Sequence, residues 1–359
     1  MKSSTTMKPF SPAASKPGAD HTDRRGFLKM GLALGAGATL LGPINALAAV
    51  TGKGPVRVQD TRVAMGTFVT MTVIASSHDQ AAEAIDSAFS EISRLTAILD
   101  RHNPDTPLSW LNSKGVLNHP DPELVTVAQV GAGFHKTTDG AFDMSVLPLV
   151  QAFEENAASG SPATPDQGLI KEALEMVDSN AVRISPRTIR FERQGMGITL
   201  DGIAKGYIVD RASSILRAHE VTDHLINAGG DIRASQGRYM QRPWVIAVED
   251  PKKQGHRPDV ISLRYGAVAT SGGYEIFDPH DRARHHIIDP TIGTSPSQIV
   301  SASVTAPSVM EADALSTSVL ILGPRRGISL LNSLPGRNGY LMAADMGVTS
   351  TLRWPSRNT

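Results

Sequence analysis

NAGGDI, Asn227–Ile232, opens the stretch on which the fold turns. From here to about Thr305 short apolar runs alternate with Gly-rich turns, among them TSGGYE (Thr270–Glu275) and HHIIDPTIG (His285–Gly293). Such runs read as strands, and they outnumber the helical segments able to cross between parallel neighbours. The expectation is an α+β fold of mixed, largely antiparallel sheets packed with helices, not a doubly wound parallel sheet.

Upstream, TLDGIAKGYIVDRA (Thr199–Ala212) leads into a helix from about Ile203 to Ala218, preceded by paired strand segments Ala181–Ile184 and Thr188–Arg193. NAASGSPATPD (Asn156–Asp166) reads as a surface loop. Asp121-Pro122 is a helix N-cap followed by proline at the first helical position, for a helix fading near His135. His78–Leu99 is a long amphipathic helix whose stripe is Ala81, Ile85, Ala88, Phe89, Ile92 and Leu95. RVAMGTFVTMTVI (Arg62–Ile74) reads as a β-rich run. Downstream, EADALSTSVLILG (Glu311–Gly323) reads as one complete helix, with Ser308 and Glu311 as capping box and Gly323-Pro324 as stop. Leu341–Thr359 reads as closing β structure and a polar tail.

The 359 residues are 40% hydrophobic and 19% charged with net charge +0, enough for a sizeable core. No strongly basic domain is present, which argues against nucleic acid as a partner. The absence of cysteine excludes disulfides, thiolate metal sites, iron–sulfur ligation and a cysteine nucleophile. Residues 1–49 are of different material. Arg24-Arg25 precede a Gly/Ala/Leu-rich segment ending in Ala46-Leu47-Ala48, the pattern of a twin-arginine export signal cleaved near Ala48. Lys29 and the Gly42-Pro43 pair interrupt that segment before it reaches the roughly 20 apolar residues of a membrane span. The expectation is a periplasmic protein, carried by the twin-arginine translocase, with residues 50–359 as its one domain.

Several polar and glycine-rich clusters interrupt the apolar segments: Met65-Gly66-Thr67, TDGAFDMSVLPLV (Thr138–Val150), TLDGIAKG, NAGGDI, TSGGYE and HHIIDPTIG. Any one of them alone is explained equally well by a tight turn. Asp313 and Thr317, at i and i+4, share a helix face and can present a carboxylate and a hydroxyl to one hard cation. The other reading is a capped, half-exposed Asp and a Thr bonded to the preceding turn. His286 and Asp289 offer an acid/base group and a carboxylate around a Pro/Gly turn, or simply a polar strand end with an orienting histidine.

Taken in order, these motifs resemble the ApbE-like family, the FAD:protein FMN transferases, over nearly all of Arg62 to the C-terminus. The subgroup most similar is that of the nitrous oxide reduction accessory proteins. The resemblance implies an ApbE-like, T-fold-related architecture. It also implies Mg2+-dependent transfer of FMN from FAD onto a Thr or Ser hydroxyl of an acceptor flavoprotein, with release of AMP. The implied acceptor is a membrane-bound respiratory protein with an extracytoplasmic FMN domain. The implied metal ligands are Asp313, Thr317 and the carbonyl near Gly202. Flavin and adenine contacts fall on Met65, His102, Asp143, Met144, Ser145, Thr199, Lys205, Ser271, Gly272 and His286. His286 is the implied base or proton relay, and Asp289 organises its loop. Lys205 belongs to no P-loop and is either a salt-bridge partner or a cofactor contact. Asp210 and Arg211 are read as structural. Where DLGxIAKG carries an aspartate this chain has Thr199, with Asp201 two residues later in an undetermined role. Two other activities suit the same residues: a non-catalytic FAD-binding accessory or flavin carrier, and an FAD pyrophosphatase.

Overall fold

The computed structural model describes residues 54–158, 165–252, 255, 257–273, 277–278 and 281–357. The twin-arginine segment and its cleavage site lie outside the described residues, as does most of the Asn156–Asp166 loop.

Eight strands form the main sheet: β1 (Val56–Ala64), β2 (Thr67–Ala75), β3 (Asp223–Ala228), β4 (Asp231–Ser235), β5 (Tyr265–Gly272), β6 (Ile299–Ala306), β7 (Asn338–Ala343) and β8 (Val348–Ser350). They lie side by side in chain order, and every neighbouring pair is antiparallel. The antiparallel α+β expectation therefore holds. The helices are α1 (His78–Leu99), α2 (Pro107–Lys114), α3 (Pro122–Thr137), α4 (Leu147–Ala158), α5 (Gln167–Glu175), α6 (Ala204–Ala218) and α7 (Val309–Ser333). Among the described residues no helix is long and apolar enough to cross a membrane.

Strand alternation sorts the core. Val69, Met71 and Val73 of β2 and Ile226 of β3 turn toward the buried stripes of α1 and α6. Ala302 and Val304 of β6 meet Leu315 and Val319 of α7. On the opposite face, Leu225, Ile232, Val268 and Met342 pack with Trp244 and Ile261 of a small hairpin, Trp244–Ala247 with Val260–Leu263. Trp354 joins this second core and donates to Asp259 at 2.7 Å, so the C-terminal tail is not merely polar.

The β-rich reading of Arg62–Ile74 holds, and one expectation, on the last helix, is corrected. The Arg62–Ile74 run is two strands, because Met65 (φ 51°) and Gly66 (φ 69°) take left-handed backbone and close a two-residue hairpin between Ala64 and Thr67. Gly229 (φ 61°) and Gly230 (φ 98°) close the β3–β4 hairpin in the same way. The correction concerns α7, which continues past Gly323. That glycine (φ 76°, ψ 177°) interrupts the helix, and Pro324 starts a second helical piece. Ser308 caps the first piece by accepting from the Glu311 amide at 3.2 Å, but the Glu311 carboxylate receives Arg337 at 2.7 Å and completes no capping box.

Candidate active site

The site is built where α6 begins. Ile203, its N-cap, supplies no side-chain hydrogen bond, and the orphan Gly206 amide instead donates to Asp313 Oδ2 at 3.1 Å. Asp210 of α6 returns the service, accepting from the Val309 and Met310 amides at the start of α7 at 3.1 and 3.0 Å. The helices cross so closely that a Cβ on Gly206 would lie 2.6 Å from the Val309 carbonyl oxygen. Asp313 is thereby buried, 5% exposed, with its carboxylate fixed at the positive end of α6. Asp210 is structural, as its sequence position implied.

One turn along α7, Thr317 Oγ1 lies 3.1 Å from Ser271 Oγ, which also meets Ser316 Oγ at 2.7 Å. Gly202 borders the same hydroxyl: a Cβ there would sit 3.4 Å from Thr317 Oγ1. Asp313, Thr317, Ser271 and Gly202 therefore converge from α7, β5 and the loop before α6. Gly272, next to Ser271, pairs with Ser301 in the sheet. The Asp313 carboxylate and the Thr317 and Ser271 hydroxyls are oxygen donors of the kind a hard divalent cation takes. Among the described residues there is no group of three or more His, Cys, Asp or Glu side chains that could hold a metal ion.

Lys205 Nζ pairs with Asp231 Oδ2 at 3.1 Å, beside the β3–β4 hairpin tip. Burial holds the Asp231 carboxyl above its ordinary pKa despite the ammonium. A Cβ on Gly229 would come within 2.6 Å of Thr67 Oγ1, so this tip abuts the β1–β2 tip that carries Met65. Met65 and Lys205 thus reach the same end of the sheet from opposite sides of one contact chain.

The loop Thr199–Gly202 is fastened at each step. Asn112 pairs with both backbone groups of Ile198, at 2.8 and 2.9 Å. The Thr199 amide donates to the Met144 carbonyl at 2.8 Å, and its hydroxyl accepts from the Asp201 amide at 3.2 Å. Asp143, Met144 and Ser145 enter as scaffold, with side chains turned inward. Asp143 Oδ1 accepts from the Ser145 amide (2.7 Å) and the Ser179 hydroxyl (2.6 Å), while Oδ2 faces His135 Nδ1 at 3.0 Å. Met144 is buried against α3, its sulfur 3.3 Å from where a Gly131 Cβ would stand. His102 is exposed on the loop after α1, its amide on Asp100 Oδ1 at 2.8 Å.

His285 is buried and His286 exposed, but the strand ends at His285 and the two rings meet edge to face with centroids 6.4 Å apart, so the expected alternation does not turn them to opposite sides. His285 is buried against Gly273, with Nε2 3.0 Å from the Pro296 carbonyl, and burial lowers its pKa. His286 is exposed at the same corner, beside the strand end that holds Ser271. Asp289 accepts from the Thr291 amide (2.8 Å) and hydroxyl (2.6 Å), so it organises the turn and does not bond to His286.

The His135–Asp143 pair carries no sequence signal, since eight positions separate two residues that only the fold joins. Its titration is informative. The Asp143 carboxylate, facing the His135 ring nitrogen, raises the His135 pKa against the opposing effect of burial. Burial pushes Asp143 up, but the bonds from His135, Ser145 and Ser179 win and hold it low. A raised histidine stabilises fully below its unfolded pKa, near 6.5, and loses that contribution as pH climbs through the folded value. The lowered Asp143 contributes above its unfolded value near 3.8. His135→Asn is therefore expected to lower Tm more at pH 6 than at pH 9. Equal losses measured by thermal melts at the two pH values would refute the ion pair.

A family model for the ApbE family matches residues 65–341. The chain belongs to the ApbE family. Among ApbE relatives, the FAD:protein FMN transferase of Treponema pallidum is 29% identical over 289 residues, covering 75% of this chain and 79% of that protein. That of Haemophilus influenzae is 28% identical, covering 72% and 77%. The ApbE protein of Thermotoga maritima superposes with a TM-score of 0.76 at 26% identity, over 83% of this chain and 97% of that one. The flavin transferase ApbE of Vibrio cholerae shares the fold, with a TM-score of 0.69 at 24% identity over 82% and 96%.

Proposed function

We propose that this ApbE-family chain is an FAD:protein FMN transferase that moves FMN from FAD onto a Thr or Ser hydroxyl of an acceptor flavoprotein and releases AMP. The supporting observation is the convergence of Asp313, Thr317, Ser271 and Gly202 at the start of α6. Asp313, Thr317 and the Gly202 carbonyl would hold Mg2+, which supplies charge neutralisation at the pyrophosphate.

The chain's own groups supply the rest. The α6 N-terminus and Lys205 favour an anionic diphosphate, and the two glycine-bearing hairpin tips let it approach the backbone. The acceptor hydroxyl oxygen attacks the phosphorus of the FMN half. The bond from that phosphorus to the bridging oxygen breaks, and the bridging oxygen leaves with AMP. The hydroxyl proton passes to an imidazole nitrogen of His286, which is exposed where an incoming protein can reach it. Buried His285 holds the corner through Pro296.

Export through the twin-arginine pathway, cleavage near Ala48 and a periplasmic site of action complete the proposal, on the strength of Arg24-Arg25 and the segment behind them. The acceptor is then a membrane-bound respiratory protein with its FMN domain outside the cytoplasm. The test is AMP release by the mature chain from FAD and Mg2+. AMP should appear only with an acceptor domain present and stop on chelation. AMP formed equally without acceptor identifies a pyrophosphatase, and FAD left intact identifies a flavin binder.

A further inference from the structure

Three candidates stand outside the machinery described above: a groove beside exposed Trp110, the cross-strand pair Arg183 and Arg190 on the antiparallel strands Val182–Ile184 and Thr188–Phe191, and the guanidinium of Arg101. Only the last is tied by its own bonds to the site.

We infer that Arg101 is a positioning residue that clamps the Thr199–Gly202 loop, with Asp201 and Glu154 as its jaws; the inference deepens the transferase reading and rests on it. Arg101 Nε donates to Asp201 Oδ2 at 2.6 Å, and its Nη2 donates to Glu154 Oε1 at 2.8 Å. The guanidinium is 10% exposed, whereas both carboxylates are 50% exposed. It is thus a buried cation roofed by two surface anions. Its own carbonyl accepts from Ser109 Oγ at 3.0 Å, which fixes the segment at the start of α2. One side chain therefore joins three elements: the loop carrying His102, the loop carrying Thr199 and Gly202, and α4.

The chemistry requires arginine. A planar fork can bond two carboxylates along different edges, whereas the ammonium of a lysine is a single compact charge. Without it, Asp201 and Glu154 face each other as like charges, and the loop is driven outward. Gly202 borders Thr317, so this displacement would be felt where the pyrophosphate binds. Asp201 thereby acquires a role: it holds the loop from outside, two residues beyond Thr199.

The experiment compares the wild-type protein with Arg101→Met, Asp201→Asn and Asp201→Glu. The readouts are FAD affinity by flavin fluorescence without acceptor, KM and kcat for transfer, and amide exchange across Thr199–Ile203. Arg101→Met and Asp201→Asn should each weaken FAD binding and raise KM about tenfold, with kcat changed less than about twofold. The double variant should be no worse than either single one. Asp201→Glu keeps the ion pair and should restore affinity, and amide exchange should speed up only where the pair is broken. Additive losses, a kcat-only effect, or loop exchange unchanged in Arg101→Met would overturn the clamp. If the wild-type protein binds FAD but transfers nothing, the transferase reading fails while affinity still judges the clamp. If it binds no FAD, amide exchange alone judges it.

Discussion

Asp313→Asn is expected to leave the protein folded and to reduce FMN transfer by on the order of a thousandfold, the few kcal/mol that a bound cation contributes at a phosphoryl centre. Asparagine keeps an oxygen to accept from the Gly206 amide, so the start of α6 stays capped. The charge and one of the two acceptor oxygens are lost. Asp313→Ala removes the acceptor as well, leaves a buried N–H unpaired and costs a further ~1–3 kcal/mol of stability. Melting curves beside transfer rates at graded Mg2+ separate the two effects. An Asp313→Asn protein with unchanged Mg2+ dependence would remove Asp313 from the metal site.

Gly206→Ala should be the most damaging single change to the scaffold. The added Cβ would lie 2.6 Å from the Val309 carbonyl oxygen and 2.7 Å from the Met310 backbone nitrogen. These are backbone atoms, which cannot swing aside as a side-chain end can, so α6 and α7 must separate. Overpacking of this kind costs about 2–3 kcal/mol, a Tm loss on the order of 3–5 °C in a chain of this size. The same separation pulls Asp313 from the Gly206 amide and Asp210 from the start of α7, so activity should fall with stability. Calorimetry and transfer assays on one preparation check both. A Gly206→Ala variant melting within about 1 °C of wild type would contradict the close crossing.

How much of this was legible in the sequence depended on the range of the forces involved. The bounds of α1 were readable because Ser77 caps it and its apolar stripe repeats every three or four residues. Asp121 and Pro122 marked α3 by the same local logic. Met65-Gly66-Thr67 was legible as a possible tight turn, but the left-handed backbone of Met65 was not, because such backbone is unusual for a non-glycine residue. The second piece of α7 was missed because Gly323-Pro324 both ends one helix and starts the next. In the site, the i, i+4 spacing of Asp313 and Thr317 was visible. Ser316 stood beside Thr317 in the sequence, but only the fold shows its bond to Ser271. Arg101–Asp201, Asn112–Ile198 and Lys205–Asp231 join residues tens of positions apart, and no local pattern announces such pairs.

The most direct test of the central claim is the intact mass of an acceptor domain after incubation with the mature chain, FAD and Mg2+. The account predicts a mass gain equal to one FMN less water on a Thr or Ser, with one AMP released per modified chain and neither product after chelation. An acceptor of unchanged mass alongside FAD consumed or FAD intact would contradict it.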